Sequence, residues 1–231
     1  MGGIDYTKRQ RPGDAAGGPA VSLSKVTLTK GAPSVVLTKK AGATGTLRVN
    51  LNWNARPPAP PSGGLFKRMT TPPAVGIDLD LGCLYEFTDG SKGVVQALGN
   101  AFQARATFTT DAVIRLDGDD RSGTNTGGEN LFVNLAHSAH IRRVLIFASI
   151  YAGAPNWAEA DGVVTLFPAS GPQIEVRLDE HNPRSRLCAV AMLENVGNEL
   201  QVRREVRYIE GSQSALDREY GWGMNWTAGR K

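Results

Sequence analysis

Residues 45–54 read GTLRVNLNWN. Leu47, Val49, Leu51 and Trp53 alternate strictly with Arg48, Asn50 and Asn52. In an extended chain successive side chains point to opposite faces, so this stretch predicts a β-strand with one dry and one wet face. Trp53 continues the dry face and is expected to be buried.

Working outward, GIDLDLGCLYEF (76–87) repeats the pattern. Ile77, Leu79, Leu81 and Cys83 fall on one side, with Asp78, Asp80 and Gly82 on the other. AVSLSKVTLTKG (20–31) and VVLTKK (35–40) precede these strands; VVQAL (94–98), TDAVIRL (110–116) and NLFVNL (130–135) follow as shorter candidates. IRRVLIFASIY (141–151) is a continuous apolar run rich in β-branched residues, the signature of a central strand buried on both faces. APNWAEADG (154–162) reads as a turn or one helical turn. GVVTLF, QIEVRL and RLCAVAMLENV are further strands. In ELQVRREVRYI (199–209), Leu200, Val202, Val206 and Tyr208 share a side that Arg204 interrupts. About ten short strands separated by Gly, Pro, Asn and Asp turns predict an all-β fold, a β-sandwich of Greek-key type.

The 231 residues are enough for one large domain or two small ones. Residues 1–19 are polar and rich in Gly and Pro, which predicts a flexible N-terminal tail. The sandwich is expected over 20–210, with a Pro-rich loop at 55–64 whose four prolines cannot donate to a ladder. Residues 211–231 are expected to form a tail or short helix packed by Trp222 and Trp226.

Composition narrows the function. No apolar run approaches the ~20 residues of a membrane span. The N-terminus lacks the apolar stretch of a signal peptide, and two cysteines make no disulfide framework, so a cytoplasmic location with reduced thiols is expected. Net charge is only +4, with Lys and Arg scattered rather than gathered on one stretch, which argues against nucleic acid as a partner. His137 and His140 lack a third ligand of matching type nearby and read as a surface pair. Cys83 and Cys188 sit in apolar strands and read as buried structural thiols. No P-loop, dinucleotide motif or nucleophile–base pairing is present, so nothing argues for an enzyme.

The acidic positions carry more. Asp78 and Asp80 share one strand face. The stretch LDGDDRSGTNTGGEN (116–130) then crowds Asp117, Asp119, Asp120, Asn125, Glu129 and Asn130 together. Ca²⁺ takes about 6–8 hard oxygen ligands, and a Gly-rich backbone lets carbonyls join the carboxylates. An EF-hand is excluded: counted from Asp117, the sixth position is Ser122 and the twelfth Gly128. A site converging from two parts of a sandwich stays open, beside the plainer reading that Asp, Asn and Gly favour turns.

GIDLDL, LDGDDRSG, GENLFVNL, VLIFASIY and APNWAEADGVVTLF together resemble the TerD-domain family of tellurium-resistance and stress proteins. The likeness spans residues 21–210. Asp78 and Asp80 match the family's DLD strand, and Gly118-Asp119-Asp120 stands where the family has G-D-N. Gly127-Gly128-Glu129-Asn130 falls where a denser acidic run belongs, with Glu129 its one surviving carboxylate. The Pro-rich insertion and basic tail resemble the divergent branch labelled TerA.

The resemblance implies a β-sandwich and a Ca²⁺ site built from Asp78, Asp80, Asp119, Asp120, Asn125 and Glu129. It also implies a non-enzymatic bacterial sensor or scaffold of the stress response, with protein partners. The competing expectation is a sandwich that docks on an anionic membrane or a partner protein through Arg142-Arg143, Arg203-Arg204, Trp222 and Trp226.

Overall fold

A computed structural model describes residues 26–27, 34–36, 45–53, 76–119, 127–197 and 199–227. The expected tail, the Pro-rich loop, Asp120 and Asn125 lie outside the described residues.

Among the described residues thirteen strands form two sheets: β1 (Val26–Thr27), β2 (Ser34–Val36), β3 (Thr46–Asn52), β4 (Asp78–Phe87), β5 (Lys92–Val95), β6 (Gln103–Ala104), β7 (Ile114–Leu116), β8 (Glu129–Asn134), β9 (Ile141–Ala152), β10 (Gly162–Phe167), β11 (Ile174–Leu178), β12 (Leu187–Val196) and β13 (Glu199–Ile209). One sheet runs β1-β11-β10-β3-β8-β7-β6 and the other β2-β13-β12-β9-β4-β5. Pairing is antiparallel except between β1 and β11. The chain passes repeatedly from sheet to sheet, as the all-β sandwich expectation required. Among the described residues two α-helices accompany the strands: α1 (Trp157–Ala160) and α2 (Gln213–Tyr220). None of the described helices is long and apolar enough to cross a membrane.

The inter-sheet core is built by the alternating residues. Leu47, Val49, Leu51 and Trp53 of the β3 stretch meet Leu79, Leu81 and Cys83 of β4 and Leu131 and Val133 of β8. Trp53 is buried, as its place in the alternation required, and its indole donates to Ile77 O at 2.9 Å. β9 lies between β12 and β4 and is buried along both faces at its centre. In β13 the alternation around Arg204 is reset by a bulge: Ala191 pairs with Arg204 but Ala189 with Arg207, and Val206 takes φ +44°.

One expectation is corrected. The second face of β4 is not wet: Asp78 and Asp80 are each only 6% exposed. Further along β4 the outer face of its sheet also carries a second apolar layer, which period-two reading of β4 cannot see. Leu84, Leu145, Phe147, Leu187, Ala189 and Met192 on the outer face of the six-stranded sheet pack against Leu216 and Trp222 from the α2 segment. Asp217 holds that segment in shape, accepting from Gly223 N, Met224 N and Trp226 Nε1 at 2.9–3.0 Å.

Candidate metal site

β5 pairs with β4 only over residues 83–86, so among the described residues the edge of β4 over residues 78–82 has no partner strand on that side. The neighbouring sheet fills the gap with carboxylates. β7 ends at Leu116, and Asp119 follows three residues later. One oxygen each of Asp78, Asp80 and Asp119 lies within 4.8 Å of the others. Oxygens on opposite sides of one Ca²⁺ stand about 4.6–5.2 Å apart, twice the usual bond length. The three carboxylates therefore fit around a single ion of that size, and an all-oxygen, triply anionic set suits a hard divalent cation. Asp80 also lines a cleft of about 210 Å³ between β9 and the start of α2, with Ser149, Tyr151 and Gln213 among its walls.

Glu129 sits elsewhere than a ligand loop. It opens β8 on the dry face it shares with Leu131 and Val133, and is 1% exposed. Its Oε2 accepts from Leu81 N at 2.7 Å, so it bridges the two sheets and caps the open edge of β4. The group of three mutually close carboxylates does not include it. The structure thus brings Asp78, Asp80 and Asp119 together and places Glu129 on the adjoining backbone.

Other residues shape the site without sharing its charge. Gly128 takes φ +61°, and a Cβ there would stand 2.1 Å from Leu51 O. Only glycine lets the chain enter β8 this close to β3. Asp117, in the same acidic stretch, is spent on Asn130: its oxygens accept from Asn130 N at 2.9 Å and Nδ2 at 2.8 Å. Asn50, a wet-face residue of β3 by its sequence position, is buried against this loop stem. Sequence reading passed over Asn50 because its only local signal is an ordinary alternation.

Several residues of the docking expectation have partners within the chain, while the Arg142 and Arg203 side chains stay exposed. Trp222 is fully buried and donates to Tyr85 O at 3.0 Å. Arg142 and Arg143 both hold Glu86, at 2.8 and 2.7 Å. Burial acts to raise the Glu86 pKa, but the two guanidiniums outweigh it and hold the carboxyl below its ordinary value. Arg143 also lies over the Trp222 ring at 3.8 Å. Arg203 pairs with Glu205 at 3.1 Å. Trp157 is a packing residue: it is fully buried, with its indole on Ser185 O at 2.7 Å. Asn156 caps α1, its side chain accepting from Glu159 N. His137 and His140 flank the exposed ring of Phe108, at 5.8 and 3.9 Å between centroids. Cys83 and Cys188 are buried and reduced, and burial pushes both thiols far above their ordinary pKa.

No family model matches the sequence. Tellurium resistance protein TerA of an Alcaligenes species is 45% identical over 211 residues, covering 91% of this chain. The chain is thus similar to a tellurium-resistance protein over nearly its whole length. It spans 60% of that curated relative's length. The crystal structure of a homologue of telluride resistance protein (TerD) from Streptomyces coelicolor shares the fold, with a TM-score of 0.50. It is 19% identical and covers 74% of this chain and 94% of its own. At that identity the likeness speaks for the fold alone.

Proposed function

We propose that this protein is a tellurium-resistance protein of the TerD-domain family and a non-enzymatic Ca²⁺-binding module, acting as a cytoplasmic sensor or scaffold that meets protein partners of a stress response. The observation that carries the reading is that Asp78 and Asp80 of β4 and Asp119, in the loop after β7 of the other sheet, bring carboxylate oxygens within 4.8 Å of one another. Two of these carboxylates are almost wholly buried. Bringing three anions together is unfavourable: at an effective dielectric of 20, two unit charges 4.8 Å apart repel by about 3 kcal/mol. A divalent cation reverses that sign. It would supply positive charge where the two sheets meet and lock the acidic loop to β4, which turns a change in ion concentration into a change in loop rigidity.

The buried cysteines support the non-enzymatic part of this reading. The thiolate is the nucleophilic form, and burial disfavours it at both positions. The test is calorimetric titration of the purified protein with Ca²⁺ and with Mg²⁺, alongside thermal melts. Ca²⁺ is expected to release or absorb heat and raise the melting temperature. Mg²⁺ should do less, because it dehydrates reluctantly and demands a tighter octahedron. No heat and no melting shift at millimolar Ca²⁺ would sink the reading.

A further inference from the structure

The acidic loop leaves β7 after Leu116 and rejoins the sheet at Glu129, and its two stems are clamped together. Asp117 N donates to Asn130 O at 2.9 Å, and both Asp117 oxygens accept from Asn130. From the other side, β3 inserts Asn50. Its Nδ2 donates to Gly127 O at 2.5 Å and Asn130 Oδ1 at 3.0 Å, with Glu129 O at 3.4 Å. Arg48 adds a bond to the same Asn130 oxygen at 3.1 Å, while its guanidinium lies over the Phe167 ring at 3.8 Å. Every polar group of the Asn130 side chain is thereby used, and Asn50 and Asp117 act on it from opposite sides.

We propose that Asn50 and Asp117 are positioning residues for the cation site: they hold Asp119 in place and so set the Ca²⁺ affinity without touching the ion. The inference rests on reading the three carboxylates as a Ca²⁺ site. Asp119 is two residues beyond Asp117, so its Cα cannot lie more than about 7.6 Å from the clamp. With the clamp closed, the stem is ordered before the ion arrives. With it open, the ion must order the stem on binding, and that loss of chain entropy lowers the affinity. Outer-shell partners of metal ligands typically change metal affinity about 10–100-fold when removed.

The experiment measures the Ca²⁺ Kd and the Ca²⁺/Mg²⁺ ratio by calorimetry, well below the melting temperature. It uses the full chain, Asn50→Ala, Asp117→Ala, the double variant and Met192→Ala. Met192 lies in the second apolar layer, so its variant reports loss of stability alone. Each clamp variant should raise the Kd about tenfold or more. The double variant should fall short of the product of the two, because both act through Asn130. Met192→Ala should bind as the parent does. Asp117→Asn keeps the acceptor for Asn130 N and loses the second bond. It provides a milder version of the same comparison if alanine at 117 unfolds the stem. Clamp variants that fold and bind Ca²⁺ like the parent would overturn this inference alone. So would a Met192→Ala protein weakened as much as they are. A parent that binds no Ca²⁺ would overturn both this inference and the reading beneath it.

Discussion

Gly128→Ala tests whether the entry of the acidic loop into β8 is a packing requirement or only a turn. Two costs are involved, and the structure separates them. The first is conformational: at φ +61° an alanine adopts the left-handed region, at about 1–2 kcal/mol. The second is steric. The new Cβ would meet Leu51 O at 2.1 Å and Asn50 Nδ2 at 3.3 Å. Leu51 cannot retreat, because β3 is paired on both sides, with β10 and β8. Forcing a methyl group into such a site adds about 1–3 kcal/mol. Gly197 supplies the control: its φ is +62°, and nothing lies within 4 Å of its Cβ position. Gly197→Ala should therefore show the first cost alone, and Gly128→Ala the sum, about 2–5 kcal/mol. For a domain of this size 1 kcal/mol moves the melting temperature by about 2–4 °C. Urea unfolding followed by tryptophan fluorescence gives both values under one set of conditions. Equal losses in the two variants would refute the steric argument. A Gly128→Ala protein with unchanged stability would refute the whole account of this entry.

Four further outcomes are expected. Asp80→Asn should abolish most of the Ca²⁺-induced rise in melting temperature while leaving the ion-free protein no less stable, since one charge of three is removed; scanning fluorimetry with and without Ca²⁺ decides, and a retained Ca²⁺ response would remove Asp80 from the site. Trp222→Ala should cost about 3–5 kcal/mol in denaturant unfolding, as a cavity in the second apolar layer; a loss under about 1 kcal/mol would mean the α2 segment is a dispensable tail. Asp217 contributes to the acid limb. Burial acts to raise its pKa, but the donors Met224 N, Trp226 Nε1 and Gly223 N outweigh it and leave the folded value below the ordinary one. Its stabilisation is therefore complete above the ordinary aspartate range and lost as pH falls through the lower folded value. Asp217→Asn should be less stable than the parent at pH 7, with the gap closing on acidification; a gap that widens would reverse the assignment. Finally, a thiol reagent should leave Cys83 and Cys188 unmodified in the native protein and label both in denaturant, and fast labelling of the native protein would reopen a thiol role.

Much of the architecture was legible along the chain. Leu47, Val49, Leu51 and Trp53 announce their dry face through a period that only nearest neighbours set. The unbroken apolar run of β9 likewise announces a strand covered on both sides. Asp78 and Asp80 are legible as a pair because a strand places residues two apart on the same face. Glu129 could also have been assigned from the chain, since it keeps step with Leu131 and Val133 on the core side. Its partner, the Leu81 amide, could not, because 48 residues separate them.

What the tertiary structure alone decided has that same physical origin. Alternation states which residues share a face, but not what lies opposite that face. The outer face of β4 carries a buried Leu84 because α2 and Trp222 fold over that side of its sheet. Asn50 looked like any polar residue of a half-exposed strand. It became part of the loop clamp because β3 pairs with β8 in the register that sets Asn50 opposite Asn130. Asp119 joined Asp78 and Asp80 because the two sheets meet where β5 stops short. Periodicity is a property of neighbours along the chain. Register and sheet packing are settled by contacts between distant residues, and those contacts turn scattered carboxylates into a site.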